Sequence, residues 1–213
     1  MIELSNKQIV ASAHVLKNAA ATATSLSLAS QQAWPYVTIP NFAERTEGLR
    51  ELSGTPLVVF SPVVKFDRTV WETYATENQG WTEEGHRFQG SAIPFSPIPT
   101  GIHQDLAAAT PLSPIAEAPF SPVWQMSPVP EDLKIVNFDL ESNERFLNLE
   151  RYVDFHRISA ISGVFPMSEI LGLSIPLDEN KPRSIILQPV FVDFAEASAV
   201  VGHYLAVIEW EKY

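Results

Sequence analysis

The chain has 213 residues, 46% of them apolar and 18% charged, with 14 basic against 25 acidic side chains and a net charge of −11. This composition is globular and long enough to bury a full core. No cluster of Lys or Arg occurs, which excludes phosphate backbones and anionic membrane surfaces as partners, nucleic acid above all. The absence of cysteine removes disulfides, thiolate catalysis and Cys-based metal sites.

Residues 6–33 read as one long helix, with Ile9, Ala13, Leu16 and Ala20 at helical spacing. Trp34-Pro35 ends it, because the residue before a proline avoids the helical region. The segment is either a core-packing helix or a stalk entering from elsewhere. It is not a signal peptide, since His14, Lys17 and Asn18 interrupt it. Nowhere does the chain reach the roughly 18 apolar residues of a spanning helix. The division expected is a stalk-like helix at 1–34 and one domain at 35–213.

TPLVVFSPVV at 55–64 is a strand candidate, rich in β-branched residues. Residues 67–88 follow as a helix with Asp67 as N-cap and Gly80 as a stop or break. Residues 94–130 then contain nine prolines, and FSPVWQMSPVP at 120–130 sets three of them around Val123, Trp124 and Met126. Proline resists both helix and central strand, yet these apolar residues are ones a protein buries. An ordered, irregular excursion forming a rigid wall is expected. KIVNFDL at 134–140 reads as a strand, 142–159 as a helix with a Ser/Asn start, and 168–173 as a short helix or turn. Residues 183–194 and 197–213 read as two long strands, the second buried on both faces. The order implies an α+β fold with an antiparallel sheet. The last strand runs to Tyr213 with no polar tail, so the chain reads as cut from something longer.

No catalytic signature emerges. His14, His86, His103, His156 and His203 form no pair at helical ligand spacing, so no metal site is expected. GxSxG, phosphate-loop and dinucleotide motifs are absent. The carboxylate pairs Glu83/Glu84, Glu131/Asp132, Glu141/Glu144 and Asp178/Glu179 read as solvated faces. What stands out is aromatic residues beside polar ones in segments that resist regular structure, the material of a small-molecule pocket. Trp124, Gln125 and Tyr74 are the leading ligand-binding candidates, with Tyr36, Trp81, Ser127 and Asn137 behind them.

Four segments together carry a resemblance: PYVTIPNFAERTEGLRELSG (35–54), VWETYATENQGWTEEG (70–85), FSPVWQMSPVPEDLKIVNFDL (120–140), and LQPVFVDF with VVGHYLAVIEW (187–194, 200–210). They resemble the extracytoplasmic sensor region of receptor-type nucleotide cyclases of single-celled algae, diatoms especially. That resemblance implies a Cache-like domain, related to the PAS fold, set between two membrane helices, with a cyclase domain on the cytoplasmic side. It also implies that the first helix continues from one membrane helix and the last strand leads to the next. Neither a membrane helix nor a cyclase segment is in this sequence, and the amino-acid-binding signature of better-known Cache sensors is absent. Asp193 is a candidate either for a pocket or for capping a turn.

The leading expectation is therefore a sensor of a small molecule of unknown class, without cofactor or catalytic residue in this segment. The ligand would sit between the sheet and the Pro-rich excursion. Membrane attachment would come only through a longer parent chain. The alternatives are a ligand-free dimerisation module using the N-terminal helix, and a carboxylate-dependent hydrolase.

Overall fold

A computed structural model describes residues 2–92, 97–113, 116–165 and 181–210, with side chains from residue 9 onward. Five helices and a five-stranded antiparallel sheet form an α+β fold. The helices are α1 (Ile2–Ser30), α2 (Phe42–Ser53), α3 (Arg68–Glu77), α4 (Gly80–Gln89) and α5 (Glu144–His156). The strands are β1 (Val58–Pro62), β2 (Gln125–Ser127), β3 (Ala160–Ile161), β4 (Arg183–Phe191) and β5 (Val200–Glu209), in the order β2-β1-β5-β4-β3. The expected C-terminal strand pair is the heart of the sheet, running from Arg183↔Glu209 to Phe191↔Val200. The short helix or turn expected at 168–173 lies outside the described residues.

Both faces of the sheet are covered, and successive residues of β5 serve opposite layers. Tyr204 stacks on Phe42 of α2 and on Phe60 of β1, whereas His203 reaches Glu150 and Asp154 of α5. α1 packs on β4 and α2 through Ser12, Leu16, Ala20, Ala23 and Ser27, all buried. These mostly small residues recur at 4, 4, 3 and 4, and they let the helix backbone come close to the sheet. Thr24 Oγ1 donates to the Phe191 carbonyl at 2.8 Å, fastening α1 to the end of β4. The first helix thus shares the central core, as a core-packing helix does.

Three local expectations are corrected. The helix expected at 67–88 is two helices. Asp67 caps the first, accepting from the Val70 N–H, and the break falls at Asn78 and Gln79, with Gly80 opening the second. α2, in a segment to which no element was assigned, was concealed by polar composition, since only Phe42, Ala43, Thr46, Leu49 and Ser53 turn inward. The strand expected at 134–140 is instead two 3-10 turns, Leu133–Ile135 and Leu140–Ser142, capped by Asp132 and Asp139. Between them Asn137 takes a left-handed conformation (φ 64°), which Asn tolerates better than other non-glycine residues. Side-chain hydrogen bonding to the local backbone outcompetes the strand there.

The described residues of the Pro-rich excursion are held by backbone hydrogen bonds to the sheet and to neighbouring segments. Trp124 N–H donates to the Phe60 carbonyl at 3.0 Å, and Val123 and Asn137 exchange bonds with neighbours at 2.8 Å. Its C-terminal part supplies β2, a three-residue edge strand beside β1. Behind it, Gly85 of α4 lies against Val129, where an added Cβ would meet Val129 Cγ2 at 2.3 Å and Ala43 Cβ at 3.4 Å. Alanine normally stabilises a helix interior by about 1 kcal/mol over glycine. Here overpacking against a stiff, β-branched side chain outweighs that gain. Gly85→Ala is therefore expected to destabilise the fold by about 1–2 kcal/mol, read as a lower midpoint in urea unfolding; a stabilised variant would refute the packing.

Candidate functional site

The seven sequence-predicted residues are brought to one region, as packed structure. Trp124 is the hub. Its ring centroid lies 5.3 Å from Trp71, 5.9 Å from Trp81 and 6.0 Å from Tyr74, and Tyr74 in turn lies 5.6 Å from Tyr36. Trp124 Nε1 donates to Thr38 Oγ1 at 3.1 Å, and that hydroxyl pairs with the Tyr74 hydroxyl at 2.6 Å, whereas the buried Trp81 Nε1 has no hydrogen-bond partner. Gln125 is buried and exchanges two hydrogen bonds with the backbone of Ile39, at 2.8 and 2.9 Å, as a strand partner would. Asn137 accepts from Trp71 Nε1 and donates to the Pro99 carbonyl. Ser127 accepts from Arg50 of α2 at 3.4 Å. None of the seven lines any described cavity. Asp193, the either-or candidate, is partly exposed and accepts from the Ala195 N–H at 2.8 Å, so it caps the β4–β5 turn.

The cavity lies elsewhere, between α5 and the β3 edge. It encloses about 790 Å³, within the range that small-molecule sites occupy. Phe146, Leu149 and Tyr152 of α5 form one wall, Ile161 and Phe165 the other, and Ile185 of β4 the floor. Asn148, Ser159 and Ser162 add a few polar groups. The chain makes room because β3 pairs with β4 for only two residues. Ser162 still bonds Ile185 and Phe165 pairs with Arg183, while Gly163 and Val164 bow outward between them. Large apolar side chains stay exposed nearby, Phe155 at 81% and Val164 at 60%.

The opposite flank of α5 carries a buried charge cluster. Asn143 caps the helix by accepting from the Arg145 and Phe146 N–H groups, and Phe146, Glu150 and Val153 then face inward. Glu150 thus holds a core-facing position that periodicity would give to an apolar residue. Its Oε1 accepts from Ser121 Oγ at 2.5 Å, and the same hydroxyl lies 3.2 Å from Glu141 Oε1. Asp139 accepts from the Ser121 N–H and from Gln104. His203 Nε2 donates to Asp154 Oδ1 at 2.8 Å, while its Nδ1 stands 3.2 Å from Glu150 Oε1, off the line of a hydrogen bond.

These neighbours shift the titrations. Burial, with the carboxylates of Glu150 and Asp139, pushes Glu141 up to about 8. Burial acts to lower His203, but the Glu150 and Asp154 carboxylates override it and hold the ring at about 9. Glu141, expected on a solvated face, is therefore a half-buried member of a charged cluster. The spacing search missed this site because it tested pairs of histidines. The legible signal was Glu150 and Asp154, four residues apart on one helix face. Carboxyl groups do converge here, as a hydrolase needs, yet none of them lines a described cavity.

The chain matches no family model and no curated protein. No helix among the described residues is long and apolar enough to cross a membrane.

Two predictions follow the two clusters. Trp124→Ala removes the hub of the aromatic group and is expected to cost about 3–5 kcal/mol in chemical unfolding; a loss under about 1 kcal/mol would contradict the packing. Between their ordinary values of 4.5 and 6.5 and their folded values of about 8 and about 9, Glu141 and His203 hold protons that the unfolded chain releases. Stability in chelator-containing buffer should therefore fall as pH rises through that window. Glu141→Gln, a neutral mimic of the protonated acid, should flatten the fall below pH 8. A wild-type profile that rises with pH, or a variant profile parallel to it, would contradict the assignment.

Proposed function

We propose that this chain is the extracytoplasmic ligand-sensing domain of a membrane receptor of the nucleotide-cyclase type, binding a small, mostly apolar molecule between α5 and β3. The observation that carries the reading is the 790 Å³ cavity with its apolar walls and few polar groups. Two further features support it. The strand order β2-β1-β5-β4-β3 is that of a PAS-type sheet, and a long N-terminal helix crosses the face opposite the cavity. The ligand position differs from the one expected against the Pro-rich wall, since that wall is packed solid by Trp124 and its neighbours.

Ligand binding moves a domain only through its differential affinity for two arrangements. Here the cavity rim is tied to the sheet, because Ser159 bonds Gln188 of β4, and the end of β4 is tied to α1 through Thr24. A ligand that displaces β3 relative to α5 acts on β4 and so on the packing of α1. The exposed apolar rim also favours a second reading, contact with another protein chain. Catalysis in this reading belongs to a cyclase domain on a longer parent chain, not to this segment.

The test is a thermal-shift panel of apolar acids, amines and aromatic compounds, run on the wild type and on Ile161→Trp, which fills the cavity mouth. A ligand at about 100 times its Kd adds about 2.7 kcal/mol, a rise of about 5–10 °C for a domain of this size. The rise is expected to vanish in Ile161→Trp and to persist in Trp124→Phe. A shift indifferent to Ile161→Trp would sink the cavity as the binding site. A flat panel with concentration-dependent self-association would favour the protein-contact reading.

A further inference from the structure

The cluster on the far flank of α5 contains two buried atoms of complementary chemistry that no aligned hydrogen bond satisfies, although His203 Nδ1 lies 3.2 Å from Glu150 Oε1. Glu150 is 4% exposed and its Oε2 has no hydrogen-bond partner; His203 is fully buried and its Nδ1 has none either. A buried carboxylate oxygen without a partner is costly, more so than a neutral group. Only Nε2 is aligned on a carboxylate, so a cation bound at Nδ1 would displace the proton held there and release it to solvent. One ligand atom from each of Glu150, Asp154 and His203 lies within 4.8 Å of the others. A transition cation at about 2.0–2.2 Å from its ligands spans ligand pairs up to about 4.4 Å, and the His203–Glu150 approach of 3.2 Å falls inside that span.

We propose that His203 and Glu150, with Asp154 positioning the imidazole, form a binding site for one divalent transition cation, of the zinc or manganese class. His203 Nδ1 and the Glu150 carboxylate are the anchoring atoms, which gives both orphaned groups a partner. Asp154 holds the ring by its Nε2–H, the arrangement by which a carboxylate orients a metal-ligating histidine. The donor set is one imidazole nitrogen with carboxylate oxygens and no sulfur, which suits zinc or manganese better than calcium or magnesium. Charge favours the same occupant. The carboxylates of Glu150 and Asp154 stand against the two nitrogens of one imidazole, at 3.2 and 2.8 Å. Asp154, with its side chain 42% exposed, gives the cation a route from solvent. The site shares α5 with the cavity but does not depend on it, so it stands whether or not the sensor reading does.

The experiment uses the full chain, stripped with chelator and titrated with manganese chloride or zinc chloride by calorimetry, with manganese binding also followed by electron paramagnetic resonance. One cation per chain is expected, with calcium and magnesium binding much more weakly. Glu150→Gln should lower affinity more than tenfold. Asp154→Asn, at a half-exposed position where folding is safe, should lower it about tenfold. A His14→Asn/His156→Asn background, which removes exposed histidines, should bind as the wild type does. Absence of stoichiometric binding would overturn the proposal. So would binding that survives both carboxylate changes, or binding that is lost with the exposed histidines instead.

Discussion

Strand β5 lies between β1 and β4 with both faces covered, and every other layer takes its position from that placement. Because side chains alternate along a strand, His203 and Tyr204 are adjacent in sequence and belong to different environments. Tyr204 joins the aromatic packing beneath α2, while His203 enters the charged cluster beneath α5. A one-residue slip in the β4–β5 pairing would exchange the two, putting an imidazole among aromatic rings and a phenol among carboxylates. The nine-pair register with β4 and the five-pair register with β1 hold it against that slip.

α5 turns the same logic to functional use. One flank opens onto the cavity through Leu149 and Tyr152, and the other closes over Ser121 and His203 through Glu150 and Asp154. The helix thereby separates an apolar, ligand-sized space from a buried, charged one. Glu150 is the residue that breaks the local hydrophobic pattern, and departures of that kind are where a fold gives up stability for something else. The cost is visible in the raised titration of Glu141 and in the unpartnered Glu150 oxygen.

The Pro-rich excursion behaves as architecture. Its prolines supply no backbone donors, so the segment is held by the residues between them, through Trp124 to Phe60, Gln125 to Ile39 and Ser121 to Asp139. The aromatic hub of Trp71, Tyr74, Trp81 and Trp124 then bridges α3, α4 and β2. Trp124 contributes a large buried area at the point where three elements meet, and its indole N–H is satisfied by Thr38.

Sequence alone determined the element classes with strong local signals. The long first helix, the α5 helix with its Asn cap, the Asp67 cap, the break at Gly80 and the C-terminal strand pair all follow from periodicity and capping chemistry within a few residues. It also marked FSPVWQMSPVP as a stiff wall, but placed Trp124 there as a ligand-binding residue where the structure packs it against Trp71 and Trp81. Tertiary structure decided what the local patterns could not carry. α2 is too polar to announce itself, and β2 exists only because the edge of β1 offers it a partner. Gln125 and Asn137 look in sequence like ligand-facing polar groups, and become backbone struts once Ile39 and Trp71 are placed beside them. The charged cluster draws on residues 121, 139, 141, 150, 154 and 203, whose separations along the chain hide their meeting. Local propensity acts over a turn or two of chain, whereas a cavity or a ligand set depends on the register and layering that only the folded sheet supplies.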